Sequence, residues 1–186
     1  MVPPDYLEAV SEPSAPMSDS DIADVIAAFG KAAAVARKAG FDGVALHGAH
    51  GYLIDGFLWD ETNLRDDQWG GDAQRRSAFA EAVVREVREA AGPDLIVSFR
   101  YSQWKQQDYG ASIAPDPDAL GALLTRLGDA GVDLFDVSTR YFHHPAFEGS
   151  DLSLAAWTKK LSGKAVSAVG GVGMSKDLTT SFGRKP

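Results

Sequence analysis

Two histidines and a tyrosine lie close together in the stretch HGAHGYLIDGF, residues 47–57. His47, His50 and Tyr52 follow one another at H-x-x-H-x-Y spacing, in a chain that has only four histidines. Imidazole N–H groups can bind an oxygen that gains negative charge during a reaction, and a phenol can deliver a proton. Two alternative roles remain open for the histidines, which could bond to the backbone where a strand ends or could bind a metal ion. A metal site needs a third ligand, and the spacing departs from the H-E-x-x-H pattern, so we expect no metal.

Two further sets of residues could contact a ligand. Arg100 closes the apolar run LIVSFR, and Gly170, Gly171 and Gly173 follow the run AVSAV. An arginine at a strand end needs a polar partner, either a phosphate or heterocycle of a ligand or a carboxylate of the chain itself. The glycines would let backbone N–H groups approach a phosphate, although tight turns after strands use glycine as well.

The elements that must position these residues repeat along the chain. A helix is expected from Ser18, whose pairing with Asp21 indicates a capping box, to Gly40. Apolar residues at helical spacing predict a second helix in AQRRSAFAEAVVREVREAAG, a third in DPDALGALLTRLGDAG and a shorter one around LAAWTKKLSG. Each helix is followed by an apolar run typical of a strand, namely GVALH, LIVSFR, LFDVS and AVSAVGG.

The joins between these helices and strands share one pattern. AGFDGVALH, AGPDLIVSFR and AGVDLFDVS each have Ala-Gly-x-Asp before the strand, so the chain repeats a helix–strand unit and is an α/β protein. Continuous apolar runs favour parallel strands that are buried on both faces. Four units make an open sheet or half of a (β/α)8 barrel, since a complete barrel takes about 250 residues. Both architectures bind ligands at the C-terminal edge of the strands, where His47, Arg100, Ser138, Arg140 and Gly170 are expected.

The composition excludes several classes of function. There are 18 Lys and Arg against 26 Asp and Glu, with no basic run, so we expect neither nucleic acid nor a membrane as a partner. The absence of cysteine excludes disulfides, thiolate metal sites and cysteine nucleophiles. No signal-peptide pattern and no apolar run of about 18 residues is present, so we expect a cytoplasmic protein. Residues 1–17 are proline-rich and are expected to form an extended arm before one domain, residues 18–186.

AGFDGVALHGAHGYLIDGFLWDETNLRDDQWGG closely resembles the signature of the Old Yellow Enzyme family of flavin-dependent ene reductases. The segments RRSAFAEAVVREVREAAGPDLIVSFRYSQWKQQDYG, GVDLFDVSTRYF and EGSDLSLAAWTKKLSGKAVSAVGGVG continue the resemblance in the same order, from Ser18 to Gly173. The resemblance implies an FMN-binding (β/α)8 TIM barrel, of which this chain would carry about four βα units. These correspond to the family's strands four to seven, so the chain looks truncated at both ends.

The resemblance also implies a reaction and residue roles. NADH or NADPH would reduce FMN, and hydride would then pass to an activated alkene such as an enone or a nitroalkene. His47 and His50 would bind the substrate oxygen, and Tyr52 would be the catalytic proton donor. Arg100 would contact the flavin ring, and the cofactor-binding glycines, Gly170 and Gly171, its phosphate.

Some residues depart from the family pattern, and two alternative functions stay open. Gly56, Trp69, His143 and His144 replace other residue types of the family and would alter the substrate pocket. One alternative is a non-catalytic half-barrel that assembles with itself as a homo-oligomer or with a complementing chain. The other is a metal-dependent barrel hydrolase or lyase that uses His47 and His50.

Overall fold

A computed structural model describes residues 15–173, so that nearly all of the predicted arm, residues 1–17, lies outside the described residues. Four parallel strands form one sheet, in which each strand pairs with the next along the chain. They are β1 (Gly43–His50), β2 (Ile96–Lys105), β3 (Leu134–Ser138) and β4 (Ala165–Val169). This order confirms the repeated helix–strand unit and the α/β class.

The helices include the four that the sequence predicts and a short one, over residues 53–58, that it does not predict. They are α1 (Asp19–Lys38), α2 (Leu53–Leu58), α3 (Ala73–Arg76), α4 (Ala78–Ala91), α5 (Pro117–Ala130) and α6 (Leu154–Ser162). The expected capping box at α1 is present, because the Ser18 hydroxyl accepts from the Asp21 N–H and the Asp21 carboxylate accepts from the Ser18 N–H. Within residues 15–173, none of these helices has both the length and the apolar composition of a membrane span.

The second predicted helix is wrong in one respect, because it is divided at Ser77 into α3 and α4. The Ser77 hydroxyl donates to the carbonyl of Gln74 at 2.7 Å, and the Arg126 guanidinium donates to the same carbonyl at 2.6 Å. A side chain that bonds to a carbonyl three residues earlier competes with the helical ladder. In α4, which follows the break, Phe79, Val83 and Val84 are fully buried.

The two faces of the sheet differ. On one face, which the helices cover, Val97, Phe99 and Tyr101 of β2 are buried and belong to the main hydrophobic core. Each such side chain contributes about 1.5–3 kcal/mol when it is fully removed from water. The other, open face carries alternate residues such as Ala45, Ser98 and Arg100, which stay partly or largely accessible. The expectation of strands buried on both faces is therefore wrong for residues 15–173, and the open face is where polar side chains collect.

Candidate active site

One row of polar residues crosses the open face of the sheet. Strand register aligns His47 of β1 with Arg100 of β2, Asp136 of β3 and Ser167 of β4. The Arg100 guanidinium donates to one Asp136 carboxylate oxygen at 2.5–2.6 Å, and the Ser167 hydroxyl donates to the other at 2.8 Å. Arg100 was expected after the second strand but lies within it, because β2 continues to Lys105. Its partner in this structure is the carboxylate of the chain, while 38% of its side chain remains accessible to a ligand.

The structure brings His47, His50 and Tyr52 together above this row. The ring centroids of His47 and His50 are 5.2 Å apart, and those of His47 and Tyr52 are 5.3 Å apart. His47 is exposed, His50 is half-buried and 54% of the Tyr52 surface is accessible. Two imidazoles and a phenol therefore share one accessible place at the C-terminal end of β1.

The backbone between the two histidines is extended and does not form a helical turn. The strand continues through His47 to His50, and in a regular strand residues three apart point to opposite faces. A register shift between Gly48 and His50 supplies a β-bulge, and His50 has φ +65°, a left-handed conformation that is uncommon outside glycine. The bulge and this conformation re-aim the His50 ring toward His47. The convergence therefore depends on an irregularity that spacing alone does not reveal.

Hydrogen bonds from β2 and β3 hold His50 in this conformation. Its backbone N–H donates to the Ser102 hydroxyl at 3.0 Å, and its Nε2 bonds to the Ser138 hydroxyl at 2.7 Å. Its ring also lies 4.5 Å from the ring of Trp104. Burial is the main cause that lowers the pKa of His50, and the positive charges of His47, Arg100 and Lys105 lower it further. His50 is therefore neutral near pH 7, with one nitrogen that donates and one that accepts.

A buried ion pair supports the turn that follows His50. Asp55 and Lys105 are both fully buried, and the Lys105 Nζ lies 2.7 Å from the Asp55 Oδ1. The other Asp55 oxygen accepts the N–H of Gly51 at 2.7 Å, while Nζ also donates to the Ser102 carbonyl at 3.3 Å. Burial raises the pKa of Asp55 and lowers that of Lys105, and the contact between the two charges opposes both shifts. The pair therefore connects the turn between His50 and Tyr52 to the end of β2.

Sequence reasoning missed this pair. Its only signals were an acidic residue inside the apolar stretch YLIDGFL and a lysine beside Trp104 in a strand-like segment. Neither signal shows that the two side chains meet, because 50 residues separate them along the chain.

The glycines after β4 suit a phosphate, as a flavin mononucleotide requires. Gly170 has φ +127° and Gly171 has φ +66°, and within residues 15–173 the N–H groups of both have no hydrogen-bond acceptor. A Cβ at Gly170 would lie 1.8 Å from the Thr139 carbonyl oxygen, so only glycine fits this turn. Gly170 and Gly171 could hold the phosphate of FMN, and the accessible part of the Arg100 guanidinium could hold the edge of its ring.

The described residues provide no third metal ligand. Within residues 15–173, no group of three or more His, Cys, Asp or Glu side chains could hold a metal ion. His47 and His50 instead face a tyrosine, a serine and a tryptophan. This arrangement suits hydrogen bonding to an oxygen atom of a ligand.

Comparisons with known proteins agree with this geometry. The sequence model of the NADH:flavin oxidoreductase / NADH oxidase family matches residues 5–182. The chain is 33% identical over 153 residues to the probable NADH-dependent flavin oxidoreductase YqiG of Bacillus subtilis, covering 80% of this chain and 40% of that protein. It is 45% identical over 114 residues to 12-oxophytodienoate reductase 2 of Arabidopsis thaliana, covering 61% of this chain and 30% of that protein.

A solved structure shares the fold. The Old Yellow Enzyme homologue of Zymomonas mobilis superposes with a TM-score of 0.69 at 24% identity, over 84% of this chain and 44% of that one. The chain therefore spans less than half the length of these proteins, and its four-stranded sheet is part of a (β/α)8 barrel. By its sequence and its fold, the chain belongs to the NADH:flavin oxidoreductase / NADH oxidase family, that of the Old Yellow Enzyme.

Proposed function

We propose that this chain provides the substrate-binding part of an FMN-dependent oxidoreductase that reduces activated C=C bonds, such as those of enones and nitroalkenes, with hydride from NADH or NADPH. The observation that carries the proposal is the meeting of His47, His50 and Tyr52 at one accessible place on the strand edge. The name of 12-oxophytodienoate reductase 2 indicates an oxo compound with C=C bonds as its substrate, which supports the same substrate class.

His47 and His50 would bind the carbonyl or nitro oxygen of the substrate. Bound FMN, once reduced, would supply hydride to the β-carbon of the alkene. Negative charge then develops on the oxygen, and hydrogen bonds from imidazole N–H groups become stronger as it does so. The neutral state of His50, which follows from its lowered pKa, makes it a hydrogen-bond donor without a formal charge.

Tyr52 would then protonate the α-carbon. Its phenol is exposed and lies beside His47, so a substrate held by the histidines could reach it. A phenol keeps its proton near pH 7 but can transfer it to a strongly basic carbanion.

We further propose that Arg100 contacts the pyrimidine edge of FMN and that Gly170 and Gly171 bind its phosphate. Positive charge near that edge favours a reduced, anionic flavin. Asp136 would hold the Arg100 guanidinium in place through its Nε and one terminal nitrogen. Residues 18–186 would form one partial-barrel domain preceded by an arm, residues 1–17.

Within residues 15–173, β1 and β4 are the edges of the sheet, and each pairs with one neighbour. Unpaired parallel edges bind other strands readily. We therefore propose that four more strands complete the barrel, either from the same polypeptide or from a second chain. Light scattering after gel filtration would show a defined oligomer if copies of this chain complete one another.

The direct test is to add FMN to the purified chain, to remove unbound flavin and to record the absorbance spectrum. Bound flavin should be reduced by NADH or NADPH without oxygen and reoxidised by 2-cyclohexenone. Tyr52→Phe is the matched variant, because it should keep the flavin and lose most of the reoxidation. The proposal fails if the chain retains no FMN, or if the enone leaves the reduced flavin unchanged. Metal analysis that finds a stoichiometric ion at His47 and His50 would support the hydrolase or lyase alternative instead.

A further inference from the structure

A small cavity of about 190 Å³ lies beside the histidine pair at the ends of β2 and β3. Ser138, which lines it, also bonds to the His50 Nε2 at 2.7 Å. Trp104, which lines it as well, lies 4.5 Å from the His50 ring. Two of the residues that line the cavity therefore contact His50 directly.

Arg140 lines this cavity and lies over aromatic rings. Its guanidinium carbon is 4.2 Å from the ring centroid of Tyr109 and 5.6 Å from that of Trp104. Such stacking uses the face of the guanidinium and leaves its in-plane N–H groups available for hydrogen bonds. The two rings therefore hold Arg140 in place without using its donors.

The charge of Arg140 also has no acidic partner among residues 15–173, where no carboxylate lies within ion-pair distance of it. The neighbouring cations of the site do have such partners, Asp136 for Arg100 and Asp55 for Lys105. This contrast arises in a chain with a net charge of −8, where carboxylates are in excess. The half-buried Arg140 guanidinium is therefore available to an anionic group of a ligand.

We propose that Arg140, held by Tyr109 and Trp104, binds a carboxylate or phosphate group of a ligand whose oxygen is bound by the histidines. This inference rests on the function proposed above and narrows its substrate class to ligands that carry a second, anionic group. A planar guanidinium with free N–H groups matches both oxyanions through paired hydrogen bonds. Two sources share this chemistry, an alkene substrate that is also a carboxylic acid and the phosphate of the nicotinamide nucleotide.

Two matched ligand pairs distinguish the sources. The first pair is (E)-4-oxopent-2-enoate and its methyl ester, and the second is nicotinamide mononucleotide and nicotinamide riboside. Calorimetric titration of the full 186-residue chain, with and without added FMN, measures each affinity without relying on turnover. In at least one pair the anionic member should bind about 10- to 100-fold more tightly, as a charge-assisted hydrogen bond would give.

Arg140→Met should abolish that preference and leave the affinity for the neutral member unchanged. Arg140→Lys, which keeps the charge but not the planar fork, should keep part of the preference. The matched control is Lys160→Met, because Lys160 also lies over an aromatic ring, that of Trp157 at 4.5 Å, but does not line the cavity. This variant should behave as the unaltered chain does.

The inference is overturned if Arg140→Met leaves both preferences unchanged, or if it weakens the anionic and neutral ligands equally, as a purely structural role would. Circular dichroism of each variant checks that the fold is kept. A separate variant tests the proposed function itself. If that function is incorrect, His47→Ala will leave the affinity for the neutral ester unchanged. The ratio of acid to ester affinity reports on Arg140 alone.

Discussion

Removing the lysine of the buried Asp55–Lys105 pair should destabilise the chain strongly. Lys105→Met keeps most of the side-chain volume but leaves Asp55 as a buried carboxylate without its cation. The Gly51 N–H would remain its main hydrogen-bond donor. One charge without its partner in a site closed to water is among the few single changes that cost more than about 3 kcal/mol.

The distance between the two charges sets the expected loss of stability. At the 2.7 Å separation of Nζ and Oδ1, an effective dielectric constant of about 20 gives a Coulomb attraction of about 6 kcal/mol. Desolvation of two fully buried groups opposes this attraction, so the pair itself adds little to stability. When only one partner is removed, the desolvation of the other is no longer compensated, and we expect a loss of about 3–5 kcal/mol.

Denaturation in urea, followed by circular dichroism, measures this loss as a change in the free energy of unfolding. The double variant Asp55→Asn/Lys105→Met is the control, because the asparagine carbonyl can still accept the Gly51 N–H while no charge stays buried. It should recover at least half of the loss, which is about 1.5–2.5 kcal/mol. The reasoning is refuted if the free energy of unfolding of Lys105→Met lies within about 1 kcal/mol of that of the unaltered chain. It is also refuted if the double variant is less stable than Lys105→Met.

Three other outcomes are expected. The pKa of His50 is lowered in the folded chain, so the unfolded chain binds more protons, and the free energy of unfolding should fall as the pH drops below 6.5. His50→Asn, in which asparagine tolerates φ +65°, should reduce this dependence on pH when urea denaturation is measured at several pH values. Gly170→Ala should cost about 4 kcal/mol or more by thermal denaturation, because its Cβ would meet the Thr139 carbonyl. Gly173→Ala should cost only about 1–2 kcal/mol, because nothing among residues 15–173 lies within 4 Å of its Cβ; equal losses would contradict this. Tyr52→Phe should slow reoxidation of reduced flavin by an enone by about 10²- to 10⁴-fold in stopped-flow measurements, while a normal rate would remove Tyr52 from its proposed role.

Most of the fold follows from local signals in the sequence. Ser18 with Asp21 marks the start of α1, and the repeated Ala-Gly-x-Asp joins mark the entry to three strands. These signals involve residues a few positions apart, so they can be recognised from the sequence alone. The break at Ser77 was not predictable, because it depends on Arg126, which approaches from another helix. A hydrogen bond that forms only in the tertiary structure cannot be predicted from short-range sequence patterns.

The site shows the same division. The stretch around His47, His50 and Tyr52 is visible in the sequence because three residues with useful chemistry are close neighbours. The contacts that orient these side chains are not visible in the sequence, because Ser102, Ser138 and Lys105 come from other strands. Residues three apart would be neighbours on a helix, but here a β-bulge in a strand brings the two histidines together.

This difference matters for how the site works. A helical turn would hold His50 through its own backbone ladder, whereas the left-handed residue of a bulge is strained by about 1–3 kcal/mol and needs outside support. The support comes from the Ser102 and Ser138 hydroxyls and, through Gly51, from the Asp55–Lys105 pair. All of these contacts lie within residues 15–173. The positions of His47 and His50 relative to each other therefore depend on contacts that this part of the barrel itself provides.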